Sequence, residues 1–193
     1  MPHTKLWVSL SAVVFVGFAV LGYFGREIYR QAPPVPQRVV TTTGTVLFTG
    51  DDIKNGQNVW QSLGGQEVGS IWGHGAYVAP DWSADWLHRE AVWLLDQWAR
   101  EQYSKPYAEV DEETQASLRG KLKHELRINT YQTTTEDLLI SPARAEAIAA
   151  VGSHYTALFG HEPRLASLRD AYALPENAIK DPERQRLLNA FFF

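Results

Sequence analysis

An uncharged apolar run near the amino terminus is the feature that most limits how this chain can fold. Residues Leu6 to Phe24 read LWVSLSAVVFVGFAVLGYF and contain no charged side chain. At 1.5 Å of rise per residue the run is roughly 28 Å long as a helix, close to a hydrocarbon thickness of about 30 Å. Trp7 and Tyr23 lie at its two ends, where interfacial aromatic residues are expected. The sequence therefore predicts a transmembrane anchor helix over residues 1–30, with the lipid bilayer as its partner.

A cleaved signal peptide is the alternative interpretation of this run. Its basic region would hold only Lys5, the run is long for a signal peptide, and no Ala-x-Ala site follows Phe24. These features favour a retained helix. The charges give a weak orientation signal, because Arg26, Arg30 and Arg38 follow the run. Taken alone, the positive-inside rule would place the remainder of the chain in the cytoplasm.

The remainder of the chain has the pattern of one mainly α-helical domain. Prolines in QAPPVPQ predict a stiff linker over residues 31–38. The segment VVTTTGTVLF has two β-rich runs around Thr43 and Gly44, which predict a small β-hairpin. Apolar residues at helical spacing then predict helices starting at Asp51 or Asp52, at Ser83, after Asp111 and at Ser141–Pro142. The predicted domain covers residues 39–180.

The chain ends in LLNAFFF, which is unusual for a soluble domain. Asp181 and Pro182 are typical of a helix start, and the predicted helix becomes fully apolar from Leu187. An exposed apolar end is costly in water. A short helix docking on the domain is one explanation. We favour the other, in which residues 181–193 are the truncated start of a second transmembrane helix.

Composition excludes several classes of site. The chain of 193 residues has no cysteine, and its one methionine is Met1. Disulfides, thiolate zinc sites, iron–sulfur clusters and a cysteine nucleophile are therefore excluded, as is a haem attached through Cys-x-x-Cys-His. The formal net charge is -4, with no basic block or basic–aromatic array, so no nucleic-acid partner is expected.

A glycine- and tryptophan-rich stretch nevertheless has the frame of a haem c segment. Its landmarks are Val59–Trp60, the turn Gly73-His74-Gly75-Ala76-Tyr77, and Ala79–Pro80. This arrangement resembles the cytochrome c subunit of bacterial nitric oxide reductases. In that family the Cys-x-x-Cys-His motif lies between the landmarks, at positions held here by Gly65, Val68 and Gly69. None of these side chains forms a thioether or binds iron.

The longer stretch QNVWQSLGGQEVGSIWGHGAYVAPDWSADWLHRE resembles the other branch of the family more closely. That branch is the quinol-dependent, single-chain nitric oxide reductase, in which a haem-free cytochrome c-like domain is fused to the catalytic membrane subunit. The anchor helix, the proline linker and the hairpin are also similar to that family. The resemblance covers essentially the whole chain.

The resemblance implies that the intact enzyme reduces NO to N2O with electrons from quinol. Haem b, haem b3, a non-haem iron and the quinol pocket would lie in downstream helices of the same polypeptide, so this segment would hold no catalytic residue and no cofactor of its own. It would be a structural cap on the periplasmic side of the bacterial inner (cytoplasmic) membrane. The alternative is a stand-alone, membrane-anchored interaction domain that docks on an oxidase-like partner.

The same resemblance suggests a calcium site at the glycine turn. If the site of the two-subunit enzymes is transferred to this sequence, Gly75 would offer its backbone carbonyl and Tyr77 would lie alongside. Calcium prefers such oxygen ligands, and a glycine carbonyl can approach closely. The alternative is that the glycines only permit a tight turn and Tyr77 packs on the tryptophans. His74 replaces the acidic residue expected in the cytochrome subunits, and its role stays open.

Other candidate residues have structural explanations. A cluster of Trp72, Trp82, Trp86, Trp93 and Trp98 is expected to fill the volume of the missing haem, and an electron relay is the alternative interpretation. Asp81, Asp85 and Glu90 form a conceivable acid–base set, although helix capping explains Asp85 more economically. The six histidines, His3, His74, His88, His124, His154 and His161, show no spacing typical of metal ligands.

Overall fold

The computed structural model describes residues 3–73 and 78–193, which form two compact units divided after Val35. The first unit is helix α1 (His3–Gln31) with a few residues after it, and none of the residues of α1 is buried. By length and composition, α1 is the one helix in the described part of the chain suited to cross a membrane. The predicted amino-terminal apolar helix is confirmed.

The second unit contains a small mixed sheet. Its four strands are β1 (Arg38–Thr41), β2 (Val46–Thr49), β3 (Tyr131–Gln132) and β4 (Asp137–Ile140), in the order β2-β1-β4-β3. The predicted hairpin is confirmed, because β1 and β2 pair antiparallel. The parallel pairing of β1 with β4 was not predicted. Arg38 stabilises it with two hydrogen bonds to the Asp137 carboxylate, of 2.9 and 2.8 Å.

Helices make up most of the domain, as predicted. They are α2 (Gly50–Ser62), α3 (Trp82–Tyr103), α4 (Glu112–Arg127), α5 (Pro142–Phe159), α6 (Ala166–Ala171) and α7 (Pro182–Phe192). A 3₁₀ turn, Gly65–Val68, connects α2 to the glycine-rich loop.

Two helix starts differ from the prediction. Thr49, rather than Asp51 or Asp52, caps α2. Its hydroxyl accepts from the Asp52 N–H, and its own N–H donates to the Asp52 carboxylate, so the two residues form a capping box. Asp81, rather than Ser83, caps α3 by accepting from the Ala84 N–H. These starts were misplaced because Thr49 and Asp81 each precede another good cap, and sequence alone does not rank adjacent caps.

The apolar carboxyl-terminal residues are buried within the domain. Leu188 and Phe192 are 1% exposed, and Phe191 packs on Trp60 of α2 with ring centroids 5.6 Å apart. These apolar residues are therefore shielded from water by the domain itself, because α7 packs against α2 and α5. The continuation of residues 181–193 into a second transmembrane helix stays a prediction.

Gly56 allows α2 and α7 to approach closely. A Cβ atom there would collide with the carbonyl oxygen of Leu187 and lie 2.7 Å from Cβ of Phe191. We expect Gly56→Ala to lower the free energy of unfolding by about 1–3 kcal/mol, as overpacking does. Urea denaturation in detergent would measure the change.

Gly120 provides the matched control for Gly56. It lies within α4, and a Cβ there would meet nothing within 4 Å. Gly120→Ala should stabilise the domain by up to about 1 kcal/mol through helix propensity. Equal effects of the two substitutions would contradict the close approach inferred for α2 and α7.

An ion pair also joins α2 to α7 and makes stability depend on pH. Arg186 Nη2 donates to Asp52 Oδ1 at 2.7 Å. This hydrogen bond, together with those from Thr49, lowers the pKa of Asp52 to about 2 although burial opposes the shift. Because the folded-state pKa is depressed, the stabilisation is complete above the unfolded pKa of about 4 and is lost as pH falls towards 2.

We therefore expect Asp52→Asn to flatten the acid limb of the stability curve between about pH 4 and 2. Unfolding measured from pH 2 to 7 would show this as a smaller slope than in the unsubstituted chain. Asp51→Asn is the control, since the Asp51 side chain is 88% exposed. An acid limb unchanged by Asp52→Asn would contradict the assignment.

Candidate functional site

The positions that correspond to haem c ligands pack against a tryptophan. The carbonyl of Val68 accepts a hydrogen bond of 3.1 Å from the Trp82 indole. Gly69, at φ 130°, leaves room for that indole, and a Cβ atom at Gly69 would collide with Trp82 Nε1. Gly65 is buried and has a left-handed backbone conformation (φ 57°). The segment is shaped to bury an indole ring, and none of its three side chains is an iron ligand.

Aromatic rings fill the interior beside this segment. Trp82 stacks on Phe192 with centroids 5.3 Å apart and an interplanar angle of 11°, and Trp86 stacks on Tyr155 at 5.3 Å and 5°. Phe159 packs on both Trp82 and Phe192. The residues present therefore do not fit a covalent haem c, because the sequence has no thioether cysteine and these rings occupy the core.

The five tryptophans expected to cluster do not form one group. Trp82 and Trp86 belong to the main core, whereas Trp98 lies in a second, smaller core with Trp93 packed against it. Trp72 is 75% exposed. The single-cluster expectation is therefore wrong. The error arose because closeness in sequence was taken as closeness in space. Trp82 and Trp86 lie in the first part of α3, which faces the main core, whereas Trp93 and Trp98 lie in its second part, which meets α4.

The glycine-rich loop is fixed at its base by Asp81. Trp82 N–H donates to the Ser70 carbonyl at 2.8 Å, which brings the two ends of the loop together. The Asp81 carboxylate accepts from the Ala84 N–H, the Ser70 hydroxyl and the Gly73 N–H. Burial alone would raise the pKa of Asp81, but these three hydrogen bonds hold it below its usual value. Sequence reasoning did not identify this role for Asp81.

The calcium candidates Gly75 and Tyr77, together with His74, lie outside the described residues. Within residues 3–73 and 78–193, no group of three or more His, Asp or Glu side chains is arranged to hold a metal ion.

The other two candidate carboxylates are engaged in structural contacts. Asp85 accepts from the Tyr155 hydroxyl at 2.6 Å and from Arg89 at 2.7 Å. Burial is the main cause that raises the pKa of Tyr155 far above its usual value, and the hydrogen bond to Asp85 adds to it. Glu90 is 1% exposed and pairs with Arg144 at 2.6 Å. No local sequence signal marks this buried pair, because its partners lie on different helices.

A groove between α3 and α5 contains two of the histidines. His154 lies on α5 beside Tyr155, and its Nε2 is enclosed without a hydrogen-bond partner among the described residues. Burial lowers the pKa of His154, so the neutral imidazole is favoured. His88, on α3, is exposed at the rim.

Comparison with known proteins identifies the domain. No curated protein matches the chain. The family profile for the cytochrome c-like domain of NorB, a nitric oxide reductase component, matches residues 36–193, which is the whole of the second unit. The chain therefore belongs to the NorB family of nitric oxide reductases, and its globular unit is the cytochrome c-like domain of that family.

Proposed function

We propose that this chain is the amino-terminal part of a quinol-dependent, single-chain nitric oxide reductase, in which it is a non-catalytic cap without haem c. The observation that carries the proposal is the combination of a cytochrome c-like domain of this family with a sequence that has no cysteine and no methionine after Met1. Such a domain cannot attach or ligate a haem c in the usual way.

The missing haem points to a change of electron donor. A soluble cytochrome donor would require a relay in this domain, whereas quinol reaches a membrane-embedded site from within the bilayer. The balanced reaction is QH2 + 2 NO → Q + N2O + H2O, in which quinol supplies both electrons and both protons. Haem b, haem b3 and the non-haem iron would be held by downstream membrane helices of the same polypeptide.

The cap would lie on the periplasmic side of the bacterial inner membrane, with α1 as its anchor. The loop that Asp81 fixes at its base would contact the catalytic helices. Gly75 would offer its backbone carbonyl to a calcium ion there, with Tyr77 alongside, and calcium prefers such oxygen ligands.

Haem and activity measurements test this proposal. We expect chain 1–193 to show no covalent haem after denaturation, and the polypeptide expressed with its downstream coding sequence to hold non-covalent haem and iron. The longer protein should consume NO with a short-chain quinol and not with reduced cytochrome c.

Two results would contradict the proposal. Covalent haem in chain 1–193 would show that the domain carries an electron relay, and turnover with cytochrome c alone would assign a different donor. A stop codon directly after Phe193 would instead support the stand-alone docking domain.

A further inference from the structure

Helix α4 carries a basic surface that the proposed function does not use. Residues 119–127 read RGKLKHELR and contain four Lys or Arg residues and one acidic residue, Glu125, in a chain whose formal net charge is -4. At 100° per residue the basic side chains spread over an arc of about 200°, which leaves out Leu118 and Leu122 on the smaller core. All the members of this α4 basic face are exposed, and they are Arg119, Lys121, Lys123, His124 and Arg127.

The charges of the α4 basic face are not neutralised within the described residues. Elsewhere in the domain, exposed and buried arginines pair with carboxylates, as do Arg38, Arg89, Arg100, Arg144, Arg164 and Arg186. Within residues 3–73 and 78–193, by contrast, no ion pair involves a member of the α4 basic face.

Two members of the face have contacts that position the cation and leave its charge uncompensated. Arg119 donates to the Tyr107 hydroxyl at 2.9 Å. Lys121 Nζ lies 4.0 Å from the centre of the Trp98 ring. The cations are therefore held on the surface of the domain and stay available to an anionic partner.

This arrangement is unfavourable for the helix by itself. Arg119, Lys123 and Arg127 follow one another at i+4 spacing, and like charges at that spacing destabilise a helix. The helix dipole favours cations in the last turn, which accounts for His124 and Arg127. It does not account for Lys121 and Lys123, which lie further from the helix end. An anionic surface would offset the repulsion among these side chains.

We propose that the α4 basic face binds the anionic phospholipid headgroups of the bilayer that α1 crosses. Residues 32–37 join α1 to the domain, so the domain is tethered to that bilayer. Clustered Lys and Arg side chains are attracted to anionic headgroups, and a broad arc of charge suits a layer of mobile headgroups. Ile128, directly after Arg127, is 49% exposed and adds the apolar contact that membrane-surface helices use.

A single spin label on α4 tests this proposal in chain 1–193. Gly120→Cys supplies the only thiol, because the sequence has no cysteine, and a Cβ atom at Gly120 would meet nothing within 4 Å. The accessibility of the label to a neutral, water-soluble paramagnetic reagent is measured in nanodiscs. It should be about twofold lower in a roughly 2:1 mixture of phosphatidylcholine and phosphatidylglycerol than in phosphatidylcholine alone. Salt at about 1 M, where the Debye length is about 3 Å, should remove the difference.

Charge removal on the α4 basic face should abolish the difference between the two bilayers. The variant combines Lys121→Gln, Lys123→Gln and Arg127→Gln with the labelled Gly120→Cys. Because the three side chains are exposed, we expect the variant to retain its helical circular dichroism. Equal accessibility of the label in the two bilayers before charge removal would overturn the proposal.

The matched control removes three exposed cations outside α4. It combines Lys54→Gln, Arg164→Gln and Lys180→Gln, and the first two side chains are 67% and 86% exposed. This control should keep the full difference between the bilayers. If it loses the difference as the α4 variant does, the attraction belongs to the total charge of the chain, and the α4 face is not the binding surface.

An acidic protein surface is the other class of partner, and the protein purified from membranes with all its downstream segments distinguishes the two. Protection of the label that is equally strong in neutral and anionic bilayers would assign the face to a protein contact and overturn the lipid proposal. The lipid proposal requires α1 in a bilayer and is independent of the electron donor proposed above. Label accessibility tests the first, and NO consumption with quinol tests the second.

Discussion

Replacing Trp86 with Ala is expected to lower the free energy of unfolding of the domain by about 3–5 kcal/mol, the usual cost of truncating a buried aromatic residue. Trp86 is 1% exposed, stacks on Tyr155 and meets Phe193 edge-on at 6.4 Å. Truncation leaves a cavity among rigid rings that cannot collapse into it. Urea denaturation followed by circular dichroism, in detergent, would measure the loss.

Two further variants separate packing from other roles of Trp86. Its indole Nε1 is enclosed without a partner in the described part of the chain, so Trp86→Phe keeps a ring and removes an unsatisfied donor. That variant should cost less than about 1.5 kcal/mol. Trp72→Ala, at a side chain that is 75% exposed, should change stability by no more than about 0.5 kcal/mol. An unchanged melting temperature in Trp86→Ala would refute the idea that tryptophan fills the volume of a haem in this domain.

Local signals predicted most of the helices of this fold. Asp111 and Ser141 each accept a hydrogen bond from an N–H three residues later, so the sequence placed the starts of α4 and α5 correctly. The hairpin was also predictable, since its two strands flank a turn containing Gly44, which has φ 92°. Each of these signals lies within a few residues of the feature that it predicts.

The features that were missed depend on contacts distant in sequence. Strand β4 pairs with β1 across 99 residues, and no short motif marks that partner. Likewise, nothing local in the sequence indicates that Phe191 and Phe192 of α7 pack on Trp60 and Trp82.

At the candidate site, too, local motifs were predictable and distant contacts were not. The resemblance to nitric oxide reductases placed Gly65, Val68 and Gly69 at the haem ligand positions. In the structure, Val68 and Gly69 instead pack against the Trp82 indole. The glycine-rich sequence alone could not show that the Trp82 indole is the group that leaves no room for a side chain at Gly69.

The second large effect is expected at the buried pair that joins α3 to α5. Glu90 is 1% exposed and the Arg144 side chain 16%, with Arg144 Nε and Glu90 Oε1 2.6 Å apart. Arg144→Met would leave the Glu90 carboxylate buried and unpaired, which typically costs about 3–5 kcal/mol. Glu90→Met should have a similar effect, because it leaves the guanidinium without its partner. Urea unfolding of each single variant would measure these costs.

The double variant shows whether the pair itself stabilises the domain. Glu90→Met with Arg144→Met removes both charges together, and such replacements are often neutral or stabilising. We therefore expect the double variant to be more stable than either single one, with a coupling energy of about 2 kcal/mol or more, at the upper end of the range for contacting residues. Arg100→Met is the control, since its pair with Asp96 is more exposed and should be worth less than about 1 kcal/mol. If Arg144→Met costs no more than Arg100→Met, the pair does not hold α3 against α5, and the contacts of Tyr155 with Trp86 and Asp85 must join the two helices.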